Sequence, residues 1–187
     1  MTIERIFPTL ETERFILREM TAEDAADLYS YYNDPELTKF LDWFGPSSVE
    51  HAEELIAYWR QQFEEDTFMR FGIASKEDNK IIGTIPINPV RGPFRWRLPI
   101  VLGYELSREH WNKGIMTEAL QAVIPYVFET LNNHRIIAEV VPDNHSSLRV
   151  LEKLGFEKEG YLKQHFYHDG LRTWSDVVTL ALLKDKE

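Results

Sequence analysis

Residues 104–119 read Tyr104-Glu105-Leu106-Ser107-Arg108-Glu109-His110-Trp111-Asn112-Lys113-Gly114-Ile115-Met116-Thr117-Glu118-Ala119. The stretch has the pattern of a strand end, a tight loop with one glycine, and a helix start. Tyr104 to Leu106 closes an apolar alternating run that begins near Leu98, and Trp111 to Gly114 forms the loop. From Ile115 the apolar positions recur at helical spacing through Ala119, Ala122, Val123, Tyr126 and Val127. The first N–H groups of a helix have no intrahelical partner and sit at the positive end of its dipole. A glycine-bearing turn feeding such a helix is a place for a phosphate group.

Upstream, Arg14 to Glu19 alternates and reads as a strand. Thr21 with Asp24 three residues on resembles a capping box, opening a helix that carries Ala25, Leu28, Tyr29 and Tyr32 on one side. Asn33-Asp34-Pro35 ends it. After a short aromatic segment, Phe40 to Phe44, and a Gly45-Pro46 turn, Ser47 or Ser48 caps a long helix reaching about Glu65. Phe68 to Ser75 and Lys80 to Asn88 are strands joined by a hairpin loop at Lys76 to Asn79. Pro86 and Pro89 predict an irregular end or an edge position for the second of them. The basic aromatic segment Arg91 to Arg97 is either a hairpin tip or a wall of a ligand entrance.

Downstream, Pro125 falls inside the helix that starts at Ile115, where it removes a backbone bond. His134 to Val141 is apolar enough for a central strand. Asp143 or Asn144 caps the next helix, and Gly155 is placed to take the left-handed conformation after its end, with Phe156 folding back toward Leu151. Phe156 to Tyr167 and Arg172 to Leu183 make a closing hairpin around His168-Asp169-Gly170. The order β-α-α-β-β-β-α-β-α-β-β is one mixed α+β layer structure, expected as a single domain over residues 1–187.

Composition excludes several classes. The chain has no cysteine, so disulfides, thiolate metal sites and a cysteine nucleophile are ruled out. A formal charge of -10 argues against a general nucleic-acid binder, which needs a basic footprint, and suits a cationic substrate. The N-terminus lacks a signal-peptide pattern and no run is long enough for a membrane span, so a cytoplasmic protein without membrane contact is expected. His165-x-x-His168 has a metal-like spacing, but strand residues three apart face opposite sides, and two exposed hairpin histidines with no metal are expected.

No Walker or dinucleotide glycine motif is present. The loop at Gly114 is instead followed, after one further strand, by Asn144-His145-Ser146-Ser147-Leu148-Arg149-Val150-Leu151-Glu152-Lys153-Leu154-Gly155-Phe156. The pair resembles the GNAT superfamily of acetyl-coenzyme A-dependent N-acetyltransferases, with a RimJ/RimL-type pattern, whose members acetylate the N-terminal amines of ribosomal proteins. Trp111 to Ala119 looks like the family's pyrophosphate loop, and Asn144, Ser147, Val150, Leu151, Glu152, Lys153, Gly155 and Phe156 look like its second signature. Thr12 to Glu19, and Gly170, Trp174 and Asp176, are also typical.

The resemblance implies a GNAT fold: one mixed, mostly antiparallel sheet of about seven strands, splayed between strands four and five, with helices on both faces. It implies acetyl-CoA as co-substrate and no metal. Backbone groups of Tyr104 to Leu106 would pair with the pantetheine arm. The N–H groups of Trp111, Asn112, Lys113, Gly114, Ile115, Met116 and Thr117 would hold the pyrophosphate. Asn144 would bond the pantetheine amide and Ser147 would sit near the sulfur. Many members carry a tyrosine acid in the second helix. Leu151-Glu152-Lys153 lacks it, and the RimL resemblance implies Ser147 as the proton donor to the departing thiolate. The glutamate base of the RimL pattern aligns with Phe166, so Glu105 is the candidate base. It lies across the strand from Leu102, Tyr104 and Leu106 by period two.

The acceptor implied is a protein N-terminal amine, with a small amine (polyamine, amino acid or antibiotic) as the second reading and a non-catalytic acyl-CoA sensor as a third. A monomer or homodimer is expected. An α-amine with pKa near 8 is about a tenth neutral at pH 7, against roughly a few parts in ten thousand for lysine, so an N-terminus asks for only a weak or water-relayed base.

Overall fold

Alternation in Phe15-Ile16-Leu17-Arg18 sets the two sides of the sheet: Phe15 and Leu17 enter one apolar cluster, Ile16 packs against another. The computed structural model describes residues 6–88, 98–168 and 171–184. Its strands are β1 (Leu10–Glu11), β2 (Phe15–Arg18), β3 (Met69–Ser75), β4 (Ile81–Asn88), β5 (Ile100–Leu102), β6 (Glu105–Leu106), β7 (Arg135–Val140), β8 (Glu157–His168) and β9 (Thr173–Leu183). They form one nine-stranded sheet in the order β1-β2-β3-β4-β5-β7-β9-β8, with β6 on β4. Among the described residues β5–β7 is the parallel pair and the rest are antiparallel. The count exceeds the expected seven because β1 is too short to read in the sequence and the fourth strand divides into β5 and β6.

The helices are α1 (Ala25–Tyr32), α2 (Pro35–Thr38), α3 (Val49–Glu64), α4 (Ile115–Pro125) and α5 (His145–Lys153). A 3-10 turn, Ala22–Asp24, leads into α1, where the Asp24 carboxylate accepts from the Thr21 N–H at 2.8 Å. The Asp34 carboxylate accepts from the Glu36 N–H at 2.9 Å and caps α2, a single turn starting at Pro35 that apolar spacing is too short to reveal. Ser48 caps α3 by accepting from the His51 N–H at 3.1 Å. At Pro125 the chain gives up α-helical winding and continues as a π-turn, Tyr126–Thr130, closed by Leu131 N–H on Tyr126 O at 3.0 Å. The wider winding is how the chain accommodates the donor that Pro125 lacks. Gly155 adopts φ 85 after α5, and the Phe156 N–H returns to Leu151 O at 3.0 Å.

Helices cover both faces. On one, α4 and α5 bury Ile115, Ala119, Leu120, Val123 and Leu151 with Ile85, Ile87, Ile100 and Ile136. On the other, α1 and α3 bury Leu28, Tyr32, Ile56 and Trp59 with Ala74 and Ile81. Among the described residues no helix is long and apolar enough to cross a membrane.

The sheet opens at its middle. β5 pairs with β7 through Ile100↔Ile136 and Val101↔Ile137. Beyond Leu102 the chain stays with β4, through Thr84↔Glu105 and Gly83↔Leu106, while β7 runs on beside β9 to Val140. Pro86 stands at the break. The Gly103 N–H donates to Pro86 O at 3.1 Å, and proline has no N–H to return the bond. A Cβ on Gly103 would lie 3.0 Å from Pro86 Cγ, so the crossing fits glycine. Of the two expectations for Pro86, the irregular strand holds and the edge position is corrected. β4 is a central strand, and the missing donor interrupts its ladder where β5 gives way to β6.

Candidate active site

Residues 111–117 follow β6, on the side of the sheet that has opened. A 3-10 turn, Arg108–His110, precedes the loop. Asn112 (φ 60) and Gly114 (φ 72) both adopt left-handed backbone, and alternating conformations of this kind make a concave row of N–H groups. The first N–H to reach a helical acceptor is that of Glu118, on Gly114 O at 3.1 Å, and no side chain caps Gly114. No heavy atom lies within 4 Å of where a Cβ on Gly114 would stand, so the glycine faces open space. Asn112, Lys113, Gly114, Ile115, Met116 and Thr117 thus share one loop and helix start, where the first N–H groups have no helical acceptor. Trp111 differs from expectation. Its N–H is spent on Arg108 O (3.1 Å) and its indole Nε1–H donates to Leu106 O at 2.7 Å. The Leu106 carbonyl is therefore already engaged by Trp111.

The second signature forms the opposite wall. Asn144 Oδ1 accepts from the Ser147 N–H at 3.1 Å and caps α5. Tyr104, between β5 and β6, reaches across the opening. Its hydroxyl lies 2.7 Å from Ser147 Oγ and donates to Ser147 O at 3.1 Å. Burial pushes the Tyr104 hydroxyl up to about 12, with the Ser147 bond acting the other way. Period-two patterning brings Tyr104 to this wall, but a backbone role was all that the sequence suggested for it.

Glu105 faces the other side of the sheet and is buried, 8% exposed. Its Oε1 accepts from Tyr32 Oη (2.5 Å), from Arg70 Nη1 (3.1 Å) and from Thr84 Oγ1. Arg70 stacks 4.2 Å from the Trp59 ring centroid. Burial opposes the Arg70 charge, but Glu105 and the tyrosines around it hold the guanidinium protonated. Burial and then Glu105 raise Tyr32 well above its usual range. Tyr31 stacks on Tyr32 at 4.7 Å, and its buried hydroxyl has no hydrogen-bond partner. Tyr32, Arg70 and Thr84 were missed as site residues. They come from α1, β3 and β4, and no sequence spacing links them to Glu105.

The remaining candidates lie elsewhere. Asp176 accepts from Tyr161 Oη (2.6 Å) and the Gln164 N–H (2.7 Å), fixing the irregular stretch of β8 where Gln164 has φ 49. Trp174 is exposed and meets Tyr167 edge-on at 5.5 Å. The histidine pair is corrected in part: His165 is half-exposed and 3.3 Å from Glu139, but His168 is buried against Phe44, with Nδ1 accepting from the Leu171 N–H at 3.3 Å. Among the described residues no group of three or more acidic or histidine side chains could hold a metal ion. The Arg91–Arg97 segment and Gly170 lie outside the described residues.

Against known proteins, residues 14–157 match the family model described as the acetyltransferase (GNAT) domain. The chain is 39% identical over 176 residues to the uncharacterized N-acetyltransferase p20 of Bacillus licheniformis, covering 94% of this chain and 96% of that one. It is 34% identical over 180 residues to the ribosomal protein uS5-alanine N-acetyltransferase of Escherichia coli (strain K12), covering 92% and 89%. Among solved structures, the ribosomal-protein-S5-alanine acetyltransferase from Vibrio fischeri superposes with a TM-score of 0.80 at 28% identity, over 96% of this chain and 98% of that one.

Proposed function

The chain belongs to the GNAT acetyltransferase family and is an N-acetyltransferase, and on that premise we propose that it moves acetyl from acetyl-CoA directly to the N-terminal α-amine of a protein. The observation that carries the reading is the opening between β6 and β7, with the Gly114 loop at one end, Ser147 on one wall and Glu105 at the strand on the other. The N–H groups of residues 112–117 hold the pyrophosphate, and Lys113 adds a positive charge beside it. The acyl arm lies along β6, and the amine approaches from the Glu105 side. The likeness to the uS5-alanine enzymes supports a protein N-terminus as acceptor over a small amine.

In this scheme the α-amine arrives partly neutral, so the demand on the base is small. We assign proton acceptance to Glu105, directly or through water. Arg70, Tyr32 and Thr84 each donate to its carboxylate and fix it in place. A backbone N–H of the splayed strand stabilises the oxyanion. Ser147 gives the thiolate its proton and Tyr104 supports the serine hydroxyl. A thiol pKa near 8.5 makes coenzyme A a good leaving group as the thiolate, so only weak donation from Ser147 is needed. Coenzyme A release over peptides with free Ala, Ser, Met or Thr N-termini, beside polyamines, amino acids and aminoglycosides, tests the acceptor class. Turnover confined to small amines contradicts it.

A further inference from the structure

Arg14 stands just before β2 and is 99 residues from Lys113 in sequence, yet it bonds to the phosphate loop. Its backbone N–H donates to Glu118 Oε1 at 2.9 Å and its Nε–H to Glu118 Oε2 at 2.7 Å. Glu118 lies in the first turn of α4. With main chain and side chain both fixed on one carboxylate, the guanidinium is aimed, and Nη2, itself 2.7 Å from Glu118 Oε2, also donates to Lys113 O at 3.2 Å. Burial opposes the Glu118 charge, but the bonds from Thr12 and Arg14 and the Arg14 charge hold its carboxyl below the usual range.

The consequence falls on the next residue. In a trans peptide the carbonyl of one residue and the N–H of the next point in opposite directions. Holding Lys113 O toward Arg14 therefore turns the Gly114 N–H away from β2. Beyond its own chain neighbours and helix backbone, Gly114 has nothing within 4 Å of its missing Cβ. We infer that Arg14 and Glu118 form a clamp that presets the loop, with Arg14 acting as a positioning residue for the diphosphate of the acyl donor. The inference rests on reading residues 112–117 as the pyrophosphate site. Glu118 neutralises Arg14, so the arginine acts through the Lys113–Gly114 peptide rather than by attracting phosphate. Lysine cannot replace it, because a point charge lacks the rigid fork that serves Glu118 and Lys113 O together. The pair is partly exposed, with side chains 45% and 19% accessible, and such pairs contribute little to global stability.

The test compares acetyl-CoA with S-acetylpantetheine, a donor without the diphosphate, in the wild type, Arg14→Ala, Arg14→Lys and the loop control Gly114→Val. The expected result is about tenfold weaker coenzyme A binding and a matching rise in acetyl-CoA KM for both Arg14 variants, with S-acetylpantetheine KM changed by less than about twofold. If Arg14→Ala binds coenzyme A like the wild type while Gly114→Val does not, the loop reading stands and the clamp is overturned. If Gly114→Val also binds normally, the loop reading falls and the clamp with it. An equal loss toward both donors overturns the clamp in favour of a general structural role.

Discussion

The Tyr104 hydroxyl lies 2.7 Å from Ser147 Oγ and joins the strand on one side of the opening to the helix on the other. One tyrosine proton cannot be given to both Ser147 O and Ser147 Oγ, so donation to the carbonyl leaves the tyrosine oxygen free to accept from the serine. In the proposed scheme, once Ser147 has released its proton, the tyrosine is the group positioned to donate back. Ser147→Ala is expected to lower kcat by about ten- to a hundredfold with coenzyme A affinity little changed, and Tyr104→Phe to lower it less. With its hydroxyl pushed up to about 12, Tyr104 stays protonated through neutral pH, so it adds no falling limb to the rate profile below about pH 10. A falling limb near pH 9 that disappears in Tyr104→Phe contradicts this assignment.

Glu105 and Arg70 are 3.1 Å apart with both side chains nearly covered. Glu105→Gln leaves a buried guanidinium unpaired and is expected to cost about 3–5 kcal/mol, measured by urea unfolding. Removing both charges with Glu105→Leu and Arg70→Met is expected to recover most of that stability while activity stays lost. Recovery of activity in the double variant would show that the carboxylate is structural.

Gly114 has φ 72, so Gly114→Val strains the backbone by about 1–2 kcal/mol while meeting no neighbour. The fold is expected to persist by circular dichroism. Coenzyme A affinity is expected to fall at least tenfold by calorimetry, an order set by the lost charge-assisted contacts. Unchanged affinity sinks the phosphate-loop assignment.

Asp24 pairs with Arg18 at 2.8 Å. Burial raises the Asp24 carboxyl, but the Arg18 and Thr21 bonds and the Arg18 charge outweigh it and the folded value is lowered. A depressed carboxyl contributes stability that is complete above its unfolded value near 4 and is lost as pH falls through the folded value. Asp24→Asn is expected to cost about 1–3 kcal/mol at neutral pH and to flatten the acid limb of the stability curve. An unchanged acid limb refutes the pairing as its source.

Most of the architecture was legible because local signals agreed. Alternation placed β2, apolar content placed β7, and Gly155 announced a helix end; of the two cap candidates offered for each helix, the structure picks Ser48 and Asn144. The splay was legible through the family resemblance, while its local cause, Pro86 facing Gly103, needed the register of three strands. The loop at Gly114 could be read because the role proposed for it lies in consecutive backbone groups. The Glu105 network could not, since Tyr32, Arg70 and Thr84 meet only when α1, β3 and β4 come together. Nor could the Arg14–Glu118 bond, which spans 104 residues.

The most direct test of an α-amine acceptor uses one peptide in two forms, each with an internal lysine and either a free or an acetylated N-terminal alanine. Coenzyme A release is followed, and the added acetyl is located by mass spectrometry. The account predicts turnover on the free form, with acetyl on the α-amine, and no turnover on the blocked form. Equal turnover on both, with acetyl on the lysine, would contradict it.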